Sequence, residues 1–253
     1  MLNKSIMTRN YLKTLVLAAF LTGIATTSFA QMKIGGRLGL NMANLRGESI
    51  QNNSMLLGYN VGVSFDYGFK DVFKSDFGEK FSVGIEVAAS QKGATTDYLF
   101  YSDTLHTAID TVTGAKQVST YIEIPILAKY TFGDPKGVHF YAEAGFYVAS
   151  LFGLTINGDK WRDNDQNSET DRRKYREEYT GFDYGAILGG GVLIPIGGRR
   201  SPWLISGDVR YSMGFTNIGE LKKGTIDIPA EQLKDIKTSA FSVLVGVVYK
   251  LNN

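Results

Sequence analysis

The amino-acid sequence predicts an all-β protein, an eight-stranded antiparallel up-and-down transmembrane β-barrel. Three observations carry this expectation. Eight segments alternate apolar with small or polar residues at a period of two, aromatic residues gather at the segment ends, and the connections fall into a short and a long set. Such alternation sorts side chains onto the two faces of a strand, which helical periodicity cannot do. The composition agrees: 29 Gly, 15 Phe and 14 Tyr in 253 residues, with no Cys. Absence of Cys excludes a disulfide scaffold, a zinc-finger array and a thiol enzyme. A formal net charge of +2 is too small for a protein built to neutralise phosphate backbones, so nucleic acid is not an expected partner.

Residues 1–30 read as a secretory signal peptide. Lys4, Arg9 and Lys13 form a positive start, an apolar run follows from Leu15 to Ile24, and Ser28-Phe29-Ala30 sets small residues three and one positions before a cut after Ala30. The apolar run is too short for a comfortable transmembrane helix. With no Cys after the cut, a lipid-anchored lipoprotein is excluded. The barrel domain is expected over residues 31–253. Removing three of the 27 Lys and Arg leaves 24 against 25 Asp and Glu.

The strands follow in order. Lys33 to Met42 sets Ile34, Leu38, Leu40 and Met42 against Arg37, Gly39 and Asn41. Leu57 to Phe69 is the clearest, thirteen residues alternating without an error, with Asp66 on the small-residue face. Phe81 to Lys92 carries Glu86 and Lys92 on that face, and Tyr121 to Phe132 carries Glu123, Pro125 and Lys129. His139 to Phe152 carries Tyr141, Glu143, Gly145 and Tyr147 there; Phe182 to Ile196 carries Asp183 and the glycines. Trp203 to Phe215 places Asp208 and Arg210 on it, and Ala240 to Leu251 places Ser242 and Gly246. The predicted long, polar connections are 43–56, 93–120, 153–181 and 216–239; 133–138 and 197–202 are tight turns, and 70–80 is intermediate. Long loops on one rim and short turns on the other are the habit of outer-membrane barrels, and both termini then lie on the periplasmic side.

A soluble barrel shows the same alternation with its apolar face inward, so the facing needs its own evidence. Gly, Ala and Ser dominate the polar face, which suits the cramped lumen of eight strands. Aromatics on the apolar face lie near the short turns (Tyr67, Phe69, Phe81, Tyr130, Phe132, Phe140, Trp203, Tyr249) and near the long loops (Tyr59, Tyr184, Phe215, Phe241). Two such girdles around a Val/Ile/Leu band fit a membrane-spanning wall. The run Gly246, Tyr249, Leu251 approximates the C-terminal pattern of outer-membrane barrels.

Tyr121-Ile122-Glu123-Ile124-Pro125-Ile126-Leu127-Ala128-Lys129-Tyr130 resembles the Y-x-E-x-P-x-L-x-K-Y signature of the PorT-like outer-membrane β-barrel family. Residues 182–192 and 210–218 are similar to the same family. The likeness spans nearly all of the chain after residue 30 and implies an outer-membrane barrel. It adds little about activity, beyond a link of the namesake to protein secretion across that membrane.

Arg37, Asp66, Glu86, Lys92, Glu123, Lys129, Glu143, Asp183, Asp208 and Arg210 all fall on the inward face. Charges in a narrow lumen must be paired, so a ladder of ion pairs is expected to plug it. Pro125 cannot donate a ladder bond and is expected at a bulge. His106 and His139 are the only histidines, and no metal-ligand or Ser-His-acid spacing accompanies them. The third long loop, with Trp161, Arg172, Arg173 and Tyr175, is a candidate binding surface within a charged, solvated loop. The function expected is a non-enzymatic outer-membrane protein without cofactor. It meets outer-membrane lipid along its wall, and it acts structurally or as a binding or assembly partner, secretion included, through its loops. The alternatives are a small-solute or ion conductor, an outer-membrane lipid-modifying enzyme and a soluble periplasmic ligand carrier.

Overall fold

The computed structural model describes residues 32–70, 75–102, 108–133, 137–161, 180–197, 201–219, 231–232 and 235–251. Ten strands form one sheet: β1 (Met32–Arg46), β2 (Ile50–Gly68), β3 (Phe81–Ser102), β4 (Ala108–Gly133), β5 (His139–Ile156), β6 (Asp159–Trp161), β7 (Phe182–Pro195), β8 (Trp203–Gly214), β9 (Glu231–Gln232) and β10 (Lys237–Lys250). Eight of them close a ring, β2-β1-β10-β8-β7-β5-β4-β3, completed by β2 pairing with β3. Every pairing is antiparallel. The short β6 extends the β5 edge, and β9 pairs with the far end of β3. The first and last described residues meet at one rim, where Leu251 N–H donates to the Met32 carbonyl at 2.9 Å. That rim is called inner here and the opposite one outer.

The eight expected wall strands are all present, and their facing follows from exposure. Leu38, Val61, Val63, Leu188 and Val245 are 50–68% exposed on the outside, while Arg37, Glu86, Glu143 and Asp208 are buried at 2–7%. A continuous apolar exterior wrapped around buried charges is the inverse of a water-soluble protein, which seldom exposes a large apolar patch. The ring has no free edge across its wall, the one strand arrangement that leaves no backbone N–H or C=O unpaired in hydrocarbon.

The outer rim departs from expectation. The connection expected over 43–56 is strand up to Arg46 and again from Ile50. The one expected over 93–120 is largely a hairpin, β3 running to Ser102 and β4 starting at Ala108. Beyond the membrane neither sheet face needs an apolar run, so the backbone ladder continues while the hydropathy alternation that marks a strand disappears. Register shifts cluster in this region, between Gln51/Ser54 and Met55/Asn60 of β2, Thr96/Tyr98 of β3 and Thr120/Tyr121 of β4. The bulge expected at Pro125 is absent. Pro125 pairs in register with Tyr147 of β5. On its β3 side the ladder keeps one register from Ile85↔Ile126 to Ala88↔Glu123.

The connection 70–80 holds a short helix, α1 (Asp76–Lys80). Its Phe77 stacks on Phe81 (5.1 Å between centroids) and lies 6.0 Å from Tyr130. Tyr67, Phe69 and Phe132 continue this ring-to-ring row, and Trp203 meets Tyr249 at 4.7 Å elsewhere on the inner rim. Towards the outer rim Phe182, Tyr184 and Phe215 form the matching group. These are two interfacial belts, and α1 supplies one ring that strand periodicity could not reveal.

Placing Arg at Val63, near mid-depth on the exposed face of β2, should cost about 2–4 kcal/mol of folding free energy in lipid vesicles, read by urea titration. Arg at exposed Ser54, on the outer extension, should change it by less than about 0.5 kcal/mol.

Candidate functional site: the barrel lumen

Inward positions recur every second residue on eight strands, so the lumen is a stack of side-chain layers. At the inner rim Tyr141, Leu193, Leu204 and Val248 pack together. Above them lies an ionic belt. Lys129 Nζ meets Asp66 at 2.7 Å, and Arg37 Nη1 meets Glu86 at 2.6 Å. The Arg210 guanidinium grips Glu86 with both terminal nitrogens (2.7 and 2.9 Å) and Glu143 through Nε (2.6 Å). Lys129 stands 3.6 Å from Glu86 and 3.8 Å from Glu143, so the two carboxylates share two cations. Two-pronged Arg–carboxylate contacts of this kind are short, directional and strong. A glycine makes this reach possible. Gly189 is the registered neighbour of both Glu143 and Arg210, and a Cβ there would stand 2.9 Å from Arg210 Cγ.

A hydroxyl and amide layer follows. Asn41 Nδ2 donates to Ser90 Oγ at 2.8 Å, and Ser242 Oγ donates to Asn41 Oδ1 at 2.7 Å. A cavity of about 20 Å³ opens beside them, lined also by Glu86, Glu123, Pro125 and Arg210. It has room for about one water molecule. Higher still, Lys92 pairs with Glu123 and points at the face of Tyr147, 4.0 Å from the ring centre. Tyr147 Oη and Thr238 Oγ1 donate to Asp183 at 2.9 and 2.8 Å. Apolar side chains fill the space around this group, with Tyr121, Leu127, Leu151, Leu154 and Ile187 buried against Tyr147.

An outer cap closes the stack. Leu45, Ala94, Tyr98, Ala115, Ile218 and Ile236 form a buried cluster above the wall. Tyr98 Oη donates to Gln117, and Asn217 Oδ1 accepts from the Ile236 backbone N–H at 2.9 Å. Beside the cap, Asp97 accepts from Asn52 and from the Gly114 N–H, both at 2.7 Å. Those two bonds hold its carboxyl below the ordinary carboxylate value.

All ten charged residues read from sequence as inward are buried. The structure gathers Arg37, Asp66, Glu86, Lys129, Glu143, Asp208 and Arg210 into the belt, and Lys92, Glu123 and Asp183 into the outer half. Asp208 is the loosest member, 3.9 Å from Arg37. Sequence reasoning did not single out Asn41, Tyr141, Tyr147 or Thr238, although the two tyrosines stood on the small-residue face. Nor did it find the cap, whose Ala94 and Tyr98 are separated on their face by the polar Thr96 and so alternate only weakly. Among the proposed loop residues, Trp161 lies on β6 opposite Leu154; its side chain and all of Arg172, Arg173 and Tyr175 lie outside the described residues. So does His106. His139 is buried at the inner rim, its Nδ1–H donating to the Gly137 carbonyl at 2.9 Å. Among the described residues no group of three or more His, Cys, Asp and Glu is arranged to hold a metal.

A closed barrel with an apolar exterior and an ion-paired interior defines a class, the small transmembrane β-barrels. The outer membrane protein beta-barrel domain family matches residues 29–220, and the chain belongs to that family. No curated protein matches the sequence. Among solved structures it is similar to Ail of Yersinia pestis crystallised with the heparin analogue sucrose octasulfate, at 10% identity over 87% of this chain and 99% of that one, with a TM-score of 0.38. OprG of Pseudomonas aeruginosa gives 13% identity over 88% and 97%, with a TM-score of 0.42. The N-terminal barrel domain of OprF from the same organism gives 13% over 87% and 97%, with a TM-score of 0.35. The family match and the chain's own strand pairing carry the assignment.

Replacing Arg210 by Ala removes the nearer of the two cations that Glu86 and Glu143 share. The loss should be about 3–5 kcal/mol of stability, measured by urea unfolding in detergent or vesicles. Glu123→Ala, which strands Lys92, should also destabilise the fold.

Proposed function

We propose that the protein is a non-enzymatic outer-membrane barrel of the PorT-like kind that works through what its outer rim presents, as a structural, binding or assembly partner. The observation that supports this reading is the filling of the lumen from rim to rim. An apolar inner plug, an ionic belt, a tyrosine-rich layer and an apolar cap succeed one another, and the described lumen cavity is water-sized. A conductor needs a continuous aqueous path, which eight filled strands do not leave. The long β3–β4 hairpin and the segment around Trp161, Arg172, Arg173 and Tyr175 then form the partner-facing surface, with lipid as the partner of the wall. The namesake's link to secretion makes an assembly role in export the specific form of this reading. The inner rim is periplasmic, and residues 1–30 are an export signal cut after Ala30.

Planar-bilayer recordings test the reading. The purified full-length product should show no reproducible unitary current steps; regular steps in wild type, abolished by lumen substitutions, would establish conduction instead. The protein recovered from outer membranes should begin at Gln31, as read by N-terminal sequencing.

A further inference from the structure

One gap in the lumen packing lies against two carboxylates at once. Ala88 on β3 stands between Glu123 on β4 and Gly62 on β2, its registered neighbours. Glu86 is two residues before Ala88, buried on the same inward face. The small side chains leave space between the two acids, and the cavity of about 20 Å³ is bordered by Glu86, Ala88 and Glu123 together. Pro125 borders it as well and has no N–H to offer a carboxylate. Glu86 is gripped by Arg37 and Arg210. Glu123 is less well served: its buried Oε1 has the Lys92 ammonium beside it and accepts no hydrogen bond. On the cavity wall Asn60, half-buried at mid-lumen, has an amide with no side-chain hydrogen bond among the described residues.

Size, charge and donor count together identify the occupant. The volume suits one water molecule, and a site for one must offer two to four polar partners. Charge asks for a neutral group: the six buried acids of the lumen are matched by Arg37, Lys92, Lys129 and Arg210 with half-buried Lys33 and Lys250. Ionised carboxylates only accept hydrogen bonds, so a group set between Glu86 and Glu123 has to donate twice, and the Asn60 amide has N–H to donate in return. Water does both. We propose that this cavity is the binding site of one resident water, which donates to Glu86 and Glu123, accepts from Asn60, and joins the ionic belt to the Lys92–Glu123 pair in one hydrogen-bonded network.

The test uses the full chain refolded in detergent and read in two ways. A high-resolution crystal structure should show one density peak between Glu86 and Glu123, about 2.7–3.0 Å from a carboxylate oxygen of each. In solution, the isotope-labelled Ala88 methyl group should cross-relax with a long-lived water by NMR. Ser212→Val puts methyl groups on the cavity wall and leaves every ion pair in place, so it should remove both the peak and the cross-relaxation. Asn60→Leu should do the same and serves if the first variant fails to fold. A cavity without density, or an Ala88 methyl that sees no water, overturns the proposal. Cross-relaxation that survives both substitutions overturns it equally, because the water then lies elsewhere. Contacts shorter than about 2.6 Å would mark a cation and count against it as well.

Discussion

A strand in hydrocarbon cannot leave its N–H and C=O groups to water, so the sheet must close on itself. Much of this molecule follows from that closure. Eight strands enclose a space that side chains can just fill, and β2 meets β3 to complete the ring. The inner face must then be assembled from small residues and a few long ones that share the space. Gly189 and Gly191 on β7 are the visible cost: each forgoes a side chain so that Arg210 or Tyr141 can lie across it.

Charges in such a lumen do not improve stability over a well-packed apolar filling. They do settle which face turns inward. An apolar lumen behind an apolar wall would let a strand slip by one residue and exchange its two faces at small cost. With Glu86, Lys129, Glu143 and Arg210 on the inner face, the same slip drives ions into lipid, which is expensive at mid-depth. The belt sits where strands that are distant in sequence meet, Arg210 of β8 bridging to β3 and β5. It therefore fixes register around the whole ring rather than between neighbours alone.

The sequence was legible wherever lipid touches the chain. In β2, Val61, Val63 and Phe65 alternate with Gly62, Ser64 and Asp66, and the exposure pattern repeats that alternation. The same parity marked all ten lumen charges. It could not say which acid meets which base, because that depends on the stagger of strands far apart in sequence; nothing local shows that Arg210 reaches Glu86. It also lost the outer extensions of β3 and β4, where water on the outside permits Thr, Gln and Lys on either face. The cap joins Leu45, Ala94 and Ile236 from three distant segments, and no periodic pattern announces such a cluster. Pro125 misled for a local reason: proline lowers the expectation of regular pairing, yet here the β5 ladder passes through it.

The facing of the two sides is the claim on which the rest stands, and the chain's lack of Cys makes it directly measurable. Single cysteines placed along residues 57–69 and spin-labelled in lipid vesicles report collision with oxygen, which concentrates in hydrocarbon, and with a water-soluble nickel chelate. Odd positions such as Val61 and Val63 should be oxygen-accessible and shielded from nickel, with Ser64 and Asp66 shielded from both. Nickel-accessible labels at Val61 and Val63, or oxygen-accessible labels at Ser64 and Asp66, would contradict the assignment.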